Sequence, residues 1–100
     1  MDSAEIIQLA RGHLKVTGTL TLSNVPHLRD QGAELIEDGP DESRIDLSEA
    51  IFQGSAGLAL LTSWLRLAEA AAKQIEYLNP PETLQKIAVI SEIGDILNLR

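Results

Sequence analysis

A chain of 100 residues, 44% of them hydrophobic, has the size of one small domain and enough apolar side chains to bury a core. Its formal net charge of −7, with eight scattered Lys and Arg residues, argues against electrostatic binding of nucleic acid or anionic lipid. The lack of cysteine excludes disulfides, thiol catalysis and Cys-ligated metals. Because the first residues also lack the basic region of a signal peptide, we expect a cytoplasmic protein without direct membrane insertion.

The amino-terminal third of the chain predicts a hairpin and then a helix. Apolar residues 6–9 and the alternating residues 14–17 flank a turn at Gly12, a pattern typical of two antiparallel strands. Ser23 is a candidate N-cap, and Pro26 suits a first helical turn because its missing N–H is not needed there. Apolar side chains then recur at helical spacing until a Gly-Pro pair ends the pattern.

The rest of the chain predicts two further strands that alternate with helices. Residues 44–48 alternate as a short strand, residues 55–73 form a long apolar helix, and residues 74–78 form the next strand. Two consecutive prolines then begin a helix that carries Leu84, and residues 96–99 are expected to pack as a last helical turn. The predicted order is therefore β-β-α-β-α-β-α.

This order predicts a mixed four-stranded sheet in which an antiparallel hairpin is followed by parallel strands. Two successive right-handed crossovers place both connecting helices on one face, provided that the strands lie side by side in chain order. Polar residues at alternate strand positions, among them Lys15, Asp46 and Glu76, agree, because parallel sheets covered on both faces have nearly continuous apolar strands. We therefore predict an α/β fold with helices mainly on one face and the other face open to water.

No combination of residues predicts a catalytic, cofactor or metal site. His13 and His27 fall in a turn and a first helical turn, without a partner that would make either one a base, so we expect both to be exposed. Residues 54–57 are glycine-rich but lack the Lys-Ser/Thr that completes a phosphate-binding loop. The acidic residues at 37–38 and 41–42 lack the ligand spacing of a calcium loop and predict a solvated loop.

Ser55 is the most distinctive polar residue, because it stands where a loop after a strand turns into a helix. There its hydroxyl can accept a hydrogen bond from an unpaired amide as an N-cap. The same hydroxyl can carry a phosphate, whose charge would face the positive end of the helix dipole without unfolding the domain. The two interpretations are compatible, and both stay open.

The helix after Ser55 has an apolar arc that covers about half its circumference, wider than packing on a sheet requires. One row of this arc, which includes Leu58 and Leu61, is expected to pack on the neighbouring helices. The outer edge carries Leu60, Trp64 and Leu67. These three residues either pack on neighbouring helices or form a docking surface for a partner, in which Trp64 would be a favoured anchor.

Three segments carry a resemblance to a known family. Residues 45–48 read IDLS, residues 54–61 read GSAGLALL, and residues 75–82 read IEYLNPPE. This combination resembles the STAS domain family, and within it the small cytoplasmic STAS subunits of the Mla phospholipid-transport ABC transporters. The resemblance implies one STAS domain over residues 1–100, without enzymatic activity or cofactor. It implies binding to the transporter's ATPase, attachment to the inner membrane through that partner, and a role in outer-membrane lipid asymmetry.

A second branch of the family, the anti-sigma-factor antagonists, differs at the start of the helix. Its members usually have Asp-Ser-Ser-Gly-Leu, with the phosphorylated serine directly before Gly-Leu. Here that position is Ala56, which cannot accept a phosphate, whereas Ser55 matches the threonine of the Mla-type subunits. The transporter branch is therefore favoured, and a phosphorylation-controlled antagonist is the alternative. The residues expected to bind or regulate a partner are Gly54, Ser55, Ala56, Gly57, Leu60, Trp64 and Leu67.

Overall fold

The computed structural model describes residues 3–82 and residue 84. In this part of the chain six elements follow one another in the predicted order. They are β1 (Ala4–Ala10), β2 (His13–Leu20), α1 (Val25–Glu37), β3 (Glu42–Phe52), α2 (Ala56–Ala70) and β4 (Gln74–Leu78). The helix predicted after the two prolines falls largely outside the described residues, and the helical turn predicted at residues 96–99 falls wholly outside them.

The four strands form one mixed sheet in the order β1-β2-β3-β4. β1 runs antiparallel to β2, and β2, β3 and β4 run parallel to one another. The predicted fold class is thereby confirmed. In the middle of the sheet, Lys15 lies opposite Ile7 on one side and beside Asp46 on the other.

β3 is longer than the predicted strand because a bulge interrupts its alternation. Between β2 and β3 the register shifts after Lys15, which pairs with Asp46, while Thr17 pairs with Glu49. The extra residue leaves Ser48 and Glu49 both exposed, so the period-2 pattern stops at Ser48 although the strand continues to Phe52. The carboxyl end of the strand was therefore predicted four residues too early.

One face of the sheet is buried and the other is open, as predicted. The buried face carries the apolar side chains of β2, β3 and β4, and both helices contribute to the same core. The alternate positions, including Lys15, Asp46 and Glu76, are partly exposed on the opposite face. The fully buried strand residues are Val16, Leu20, Ile45, Leu47 and Tyr77.

The start of α1 differs from the prediction, because the N-cap is Asn24 and not Ser23. The Asn24 side chain bonds to the preceding loop: its Oδ1 accepts from Thr21 N at 2.9 Å, and its Nδ2 donates to Thr19 O at 2.8 Å. Ser23 is exposed. The two ends of the Asn24 amide thus connect the end of β2 to the loop that follows it.

Trp64 and Leu60 lie in the core between the helices, with 1% and 0% of their surface exposed. Trp64 Nε1 donates to Arg29 O at 3.2 Å, which gives the buried indole its partner on α1. The ring lies against Gly32, where a side-chain carbon would collide with it. The docking interpretation is therefore corrected for these two residues, since helix packing covers their side chains.

Lys73 joins the end of α1 to the turn that follows α2. Its Nζ donates to Ile36 O at 3.1 Å, to Gly39 O at 2.8 Å, and also to Glu37 O. These carbonyls belong to the last turn of α1 and the residues after it, where a helix leaves acceptors without intrahelical donors. A cation at this position also opposes the negative end of the helix dipole. We call this group the Lys73 clamp.

Candidate interaction edge

The carboxyl ends of β2 and β3 lie side by side, since Leu20 is in register with Phe52. The loop after β2 (residues 21–24) and the loop after β3 (residues 53–55) therefore lie at the same edge of the sheet. We call this region, with Ile51 at the end of β3, the loop edge. It contains the exposed members of the predicted site.

Ser55 occupies the N-cap position of α2, as predicted, but its side chain makes no capping hydrogen bond. Its backbone oxygen accepts from Ala59 N at 3.0 Å, which starts the helix, and its side chain is exposed. The prediction that the hydroxyl caps the helix is therefore wrong. Modification of Ser55 stays a prediction, and the hydroxyl is accessible.

Gly54 allows the chain to turn from β3 into α2. Its φ of +64° is a conformation that residues with a side chain rarely adopt, and no atom lies within 4 Å of where a side-chain carbon would stand. Gln53 and Gly54 are both exposed. Gly54 is thus required by the backbone rather than by contacts, and it leaves the loop tip accessible.

Ala56 and Gly57 lie beneath the loop rather than on its surface. Ala56 is 6% exposed, and Gly57 is also buried. A side-chain carbon at Gly57 would lie 2.9 Å from Leu20 Cδ1 and closer still to the ring of Phe52. These small residues let the first turn of α2 pack on the strand ends, and so they position Ser55 without being available for contact. Leu67 is partly buried against the core.

Two apolar residues of the loop edge were missed by sequence reasoning. Leu22 is 84% exposed in the loop after β2, and Ile51 is 54% exposed near the end of β3. Leu22 is the one apolar residue in the short connection of residues 21–24. This position could have indicated an exposed leucine from the sequence alone. Ile51 lies beyond the bulge, where the predicted strand had already ended.

The open face next to the loop edge is acidic. Lys15 forms an ion pair with Glu49, whose hydrogen bond and charge raise the pKa of Lys15 against a smaller opposing effect of desolvation. Partial burial raises the pKa of Asp46, but hydrogen bonds from Ser48 and Asn79 and the charge of Lys15 together outweigh it, so the pKa lies below its ordinary value. The Asp46 carboxylate is therefore charged at neutral pH, beside the ion pair.

A family model described as "Mlab, STAS domain" matches residues 4–98. The chain belongs to the STAS domain family. Among solved structures, it is similar to the anti-sigma factor antagonist SpoIIAA in its unphosphorylated form, with a TM-score of 0.75 and 22% identity, covering 98% of this chain and 86% of that one. Against the Bacillus cell fate determinant SpoIIAA in the phosphorylated form, the values are 0.71 and 21%, covering 98% and 89%. No curated protein matches the chain significantly.

For this STAS domain the family match supports an accessory or regulatory role that acts through protein contacts.

Within residues 3–82 and 84, no three His, Asp or Glu side chains are grouped so that they could hold a metal ion. His27 and the acidic residues at 37–38 and 41–42 are exposed as predicted, whereas His13 is half-buried. No helix in the described part of the chain has both the length and the apolar character needed to span a bilayer.

Proposed function

We propose that this STAS domain is a non-enzymatic accessory subunit that binds the cytoplasmic ATPase of a phospholipid-transporting ABC complex. In this role it supports the transport that maintains outer-membrane lipid asymmetry. It stays in the cytoplasm and reaches the inner membrane only through its partner. The Mla-type description of the matching family model supports this assignment.

The observation that carries the proposal is the position of the exposed hydroxyl at the start of α2. Directly before Gly57 the chain has Ala56, a buried residue that no kinase can phosphorylate. The exposed hydroxyl belongs to Ser55, one place earlier. This is the arrangement that resembles the transporter-associated subunits, and it removes the phosphate acceptor used by the kinase-switched branch.

The second candidate is an anti-sigma-factor antagonist or a related phosphorylation-controlled switch. It is favoured by the fold shared with SpoIIAA and by the accessibility of Ser55 in a loop that makes no side-chain capping bond. In this case the partner is a kinase-type anti-sigma factor instead of a transport ATPase. A phosphate on Ser55 would then control binding, because it would add about −1.5 to −2 charges to the loop edge.

Binding to the two purified partners distinguishes these candidates. The wild-type domain is titrated with the ABC ATPase and, separately, with an anti-sigma factor of the same organism. We expect binding to the ATPase, and about tenfold weaker binding by Ser55→Asp, because the substitution adds a charge to the contact loop. Circular dichroism of Ser55→Asp should match the wild type, since an acidic group is tolerated at a helix N-terminus.

Ser48→Asp is the matched control, because it adds the same charge at an exposed serine in the middle of β3, away from the loop edge. It should bind the ATPase as the wild type does. Unchanged binding by Ser55→Asp would remove Ser55 from the interface. Binding to the anti-sigma factor without binding to the ATPase would support the second candidate and reject the first.

A further inference from the structure

Among the described residues, four large apolar side chains are exposed, and they fall into two groups. Leu22 and Ile51 lie at the loop edge, which also carries Ser55, and are 84% and 54% exposed. Ile7 and Leu9 lie on β1, and are 40% and 52% exposed. An isolated exposed leucine or isoleucine is ordinary on a protein surface. Leu22 and Ile51 are less ordinary, because both lie at the end of the sheet that also carries the exposed Ser55.

The strand register places Ile51 level with Thr19, just before the end of β3, and Leu22 lies in the loop directly beyond the end of β2. Thr19 pairs with Ile51 and Leu20 pairs with Phe52, so Leu22 follows directly after the strand end that lies beside the loop of residues 53–55. Ile51 belongs to the open face, because the residues on either side of it are buried on the helix face. Leu22 is therefore in the loop next to the Ser55 loop, and Ile51 is on the strand that leads into the Ser55 loop.

The loop that carries Leu22 is fixed in place although Leu22 contributes nothing to the core. The Asn24 amide bonds to Thr19 O and to Thr21 N, and Val25 N donates to Thr21 O at 3.0 Å. Ordering this loop costs conformational entropy, which Leu22 does not offset, since its side chain is almost fully in water. A preorganised loop with an exposed leucine has the form of an interface anchor, because the ordering cost is met before binding.

The charges around the pair indicate what kind of surface covers it. Neither loop of the edge contains a charged residue. In the next row of the open face Thr17 pairs with both Glu5 and Glu49, so carboxylates border Ile51 on the sheet side. Lys15 and Glu49 offset each other's charge, so the negative charge of this row comes from Glu5, and the whole chain carries a formal net charge of −7. A second copy would place like charges against each other, and an anionic bilayer would be repelled, whereas a basic protein surface is complementary.

We infer that Leu22 and Ile51 insert into an apolar pocket of the partner ATPase, bordered by Lys or Arg side chains on the side that faces Glu5. This inference rests on the proposed function, since it assigns the anchors of the same interface. It replaces Leu60 and Trp64, whose side chains are buried, with two residues that are accessible. Ser55 lies at the same end of the sheet as both anchors, where an added charge disturbs the contact.

The test compares matched pairs of substitutions in binding titrations with the purified ATPase. Leu22→Ser is paired with Leu9→Ser, and Ile51→Thr is paired with Ile7→Thr, so each loop-edge change has a chemically identical counterpart on β1. We expect Leu22→Ser and Ile51→Thr each to weaken binding about tenfold or more, and the β1 variants to bind within about twofold of the wild type. All four variants should keep the thermal midpoint of the wild type within a few degrees.

The outcomes separate this inference from the proposed function. If the wild type binds the ATPase and the loop-edge variants bind equally well, the inference is wrong while the proposed function stands. The inference is also wrong if the β1 variants weaken binding as strongly as the loop-edge variants do. If the wild type does not bind the ATPase, the proposed function is wrong, and the ATPase is not the protein that covers Leu22 and Ile51. Sedimentation velocity that shows a dimer abolished by Leu22→Ser would identify a second copy as the occupant and overturn the inference.

Discussion

The loop edge and the Lys73 clamp lie at opposite ends of the parallel strands and use their polar groups in different ways. At the clamp, the ammonium group of Lys73 donates to three backbone carbonyls. At the same end of the strands, Arg44 N donates to Gly12 O at 2.8 Å. At the loop edge, the Ser55 hydroxyl caps nothing, and Leu22 and Ile51 are exposed. At the clamp, backbone carbonyls are satisfied by hydrogen bonds within the domain. At the loop edge, one hydroxyl and two apolar side chains are exposed to solvent.

The largest effect is expected from Trp64→Ala. Trp64 packs α1, which ends at the Lys73 clamp, against α2, which begins at the loop edge. Removing the buried indole should lower the free energy of unfolding by about 3–5 kcal/mol. Denaturant unfolding measures this, and the fluorescence of the free wild type should already be protected from a soluble quencher. A Trp64→Ala variant that stays fully stable and only binds the ATPase more weakly would return Trp64 to the interface.

Lys73→Met should weaken the clamp without changing the loop edge. The methionine keeps most of the apolar stem but leaves the three carbonyls without their charged donor, so we expect a loss of about 2 kcal/mol in unfolding free energy. Binding to the ATPase should be unchanged at temperatures where the variant is folded. Lys15→Met is the control, since Lys15 has one exposed ion pair instead of three carbonyl bonds, and it should be less destabilising. Equal losses would show that the clamp adds nothing beyond a surface charge.

Gly54→Ala tests the turn of the loop edge. Because Gly54 has a positive φ and open space around it, the methyl group clashes with nothing, and only backbone strain should appear, about 1 kcal/mol in chemical denaturation. Gly54→Asn should cost less, since asparagine tolerates this conformation better. If both variants are as stable as the wild type, the turn is free to relax and does not hold Ser55 in place.

The smallest effect is expected from Ser55→Ala. Replacing a serine that caps a helix costs about 0.5–2 kcal/mol, but here the side chain makes no capping bond, so the change should stay within about 0.5 kcal/mol. Thermal and urea unfolding check this value. A loss of more than about 1 kcal/mol in unfolding free energy would show that the hydroxyl caps α2 in solution. The loop edge would then use its hydroxyl within the domain, as the Lys73 clamp uses its ammonium group.

Patterns of two and 3.6 residues were sufficient to predict the six elements from β1 to β4 and their order. The alternation around Gly12 predicted the hairpin, and the polar residues on alternate positions of the parallel strands predicted an open face. These features depend on each residue and its near neighbours in the chain, so they can be read locally. The boundary of β3 was wrong because the bulge after Lys15 depends on pairing with β2, which no local pattern records.

The site divides in the same way between sequence and tertiary structure. The sequence by itself determined that a serine, preceded by a flexible glycine and followed by small residues, begins α2 after a strand. Tertiary structure decided which apolar residues of the wide arc are covered: α1 and the carbonyl of Arg29 enclose Trp64, although its helical position is equally suited to an interface. It also brought Leu22 and Ile51 to the same end of the sheet, because the ends of β2 and β3 become neighbours only when these strands pair. Burial is a property of the packed chain, whereas periodicity is a property of the segment.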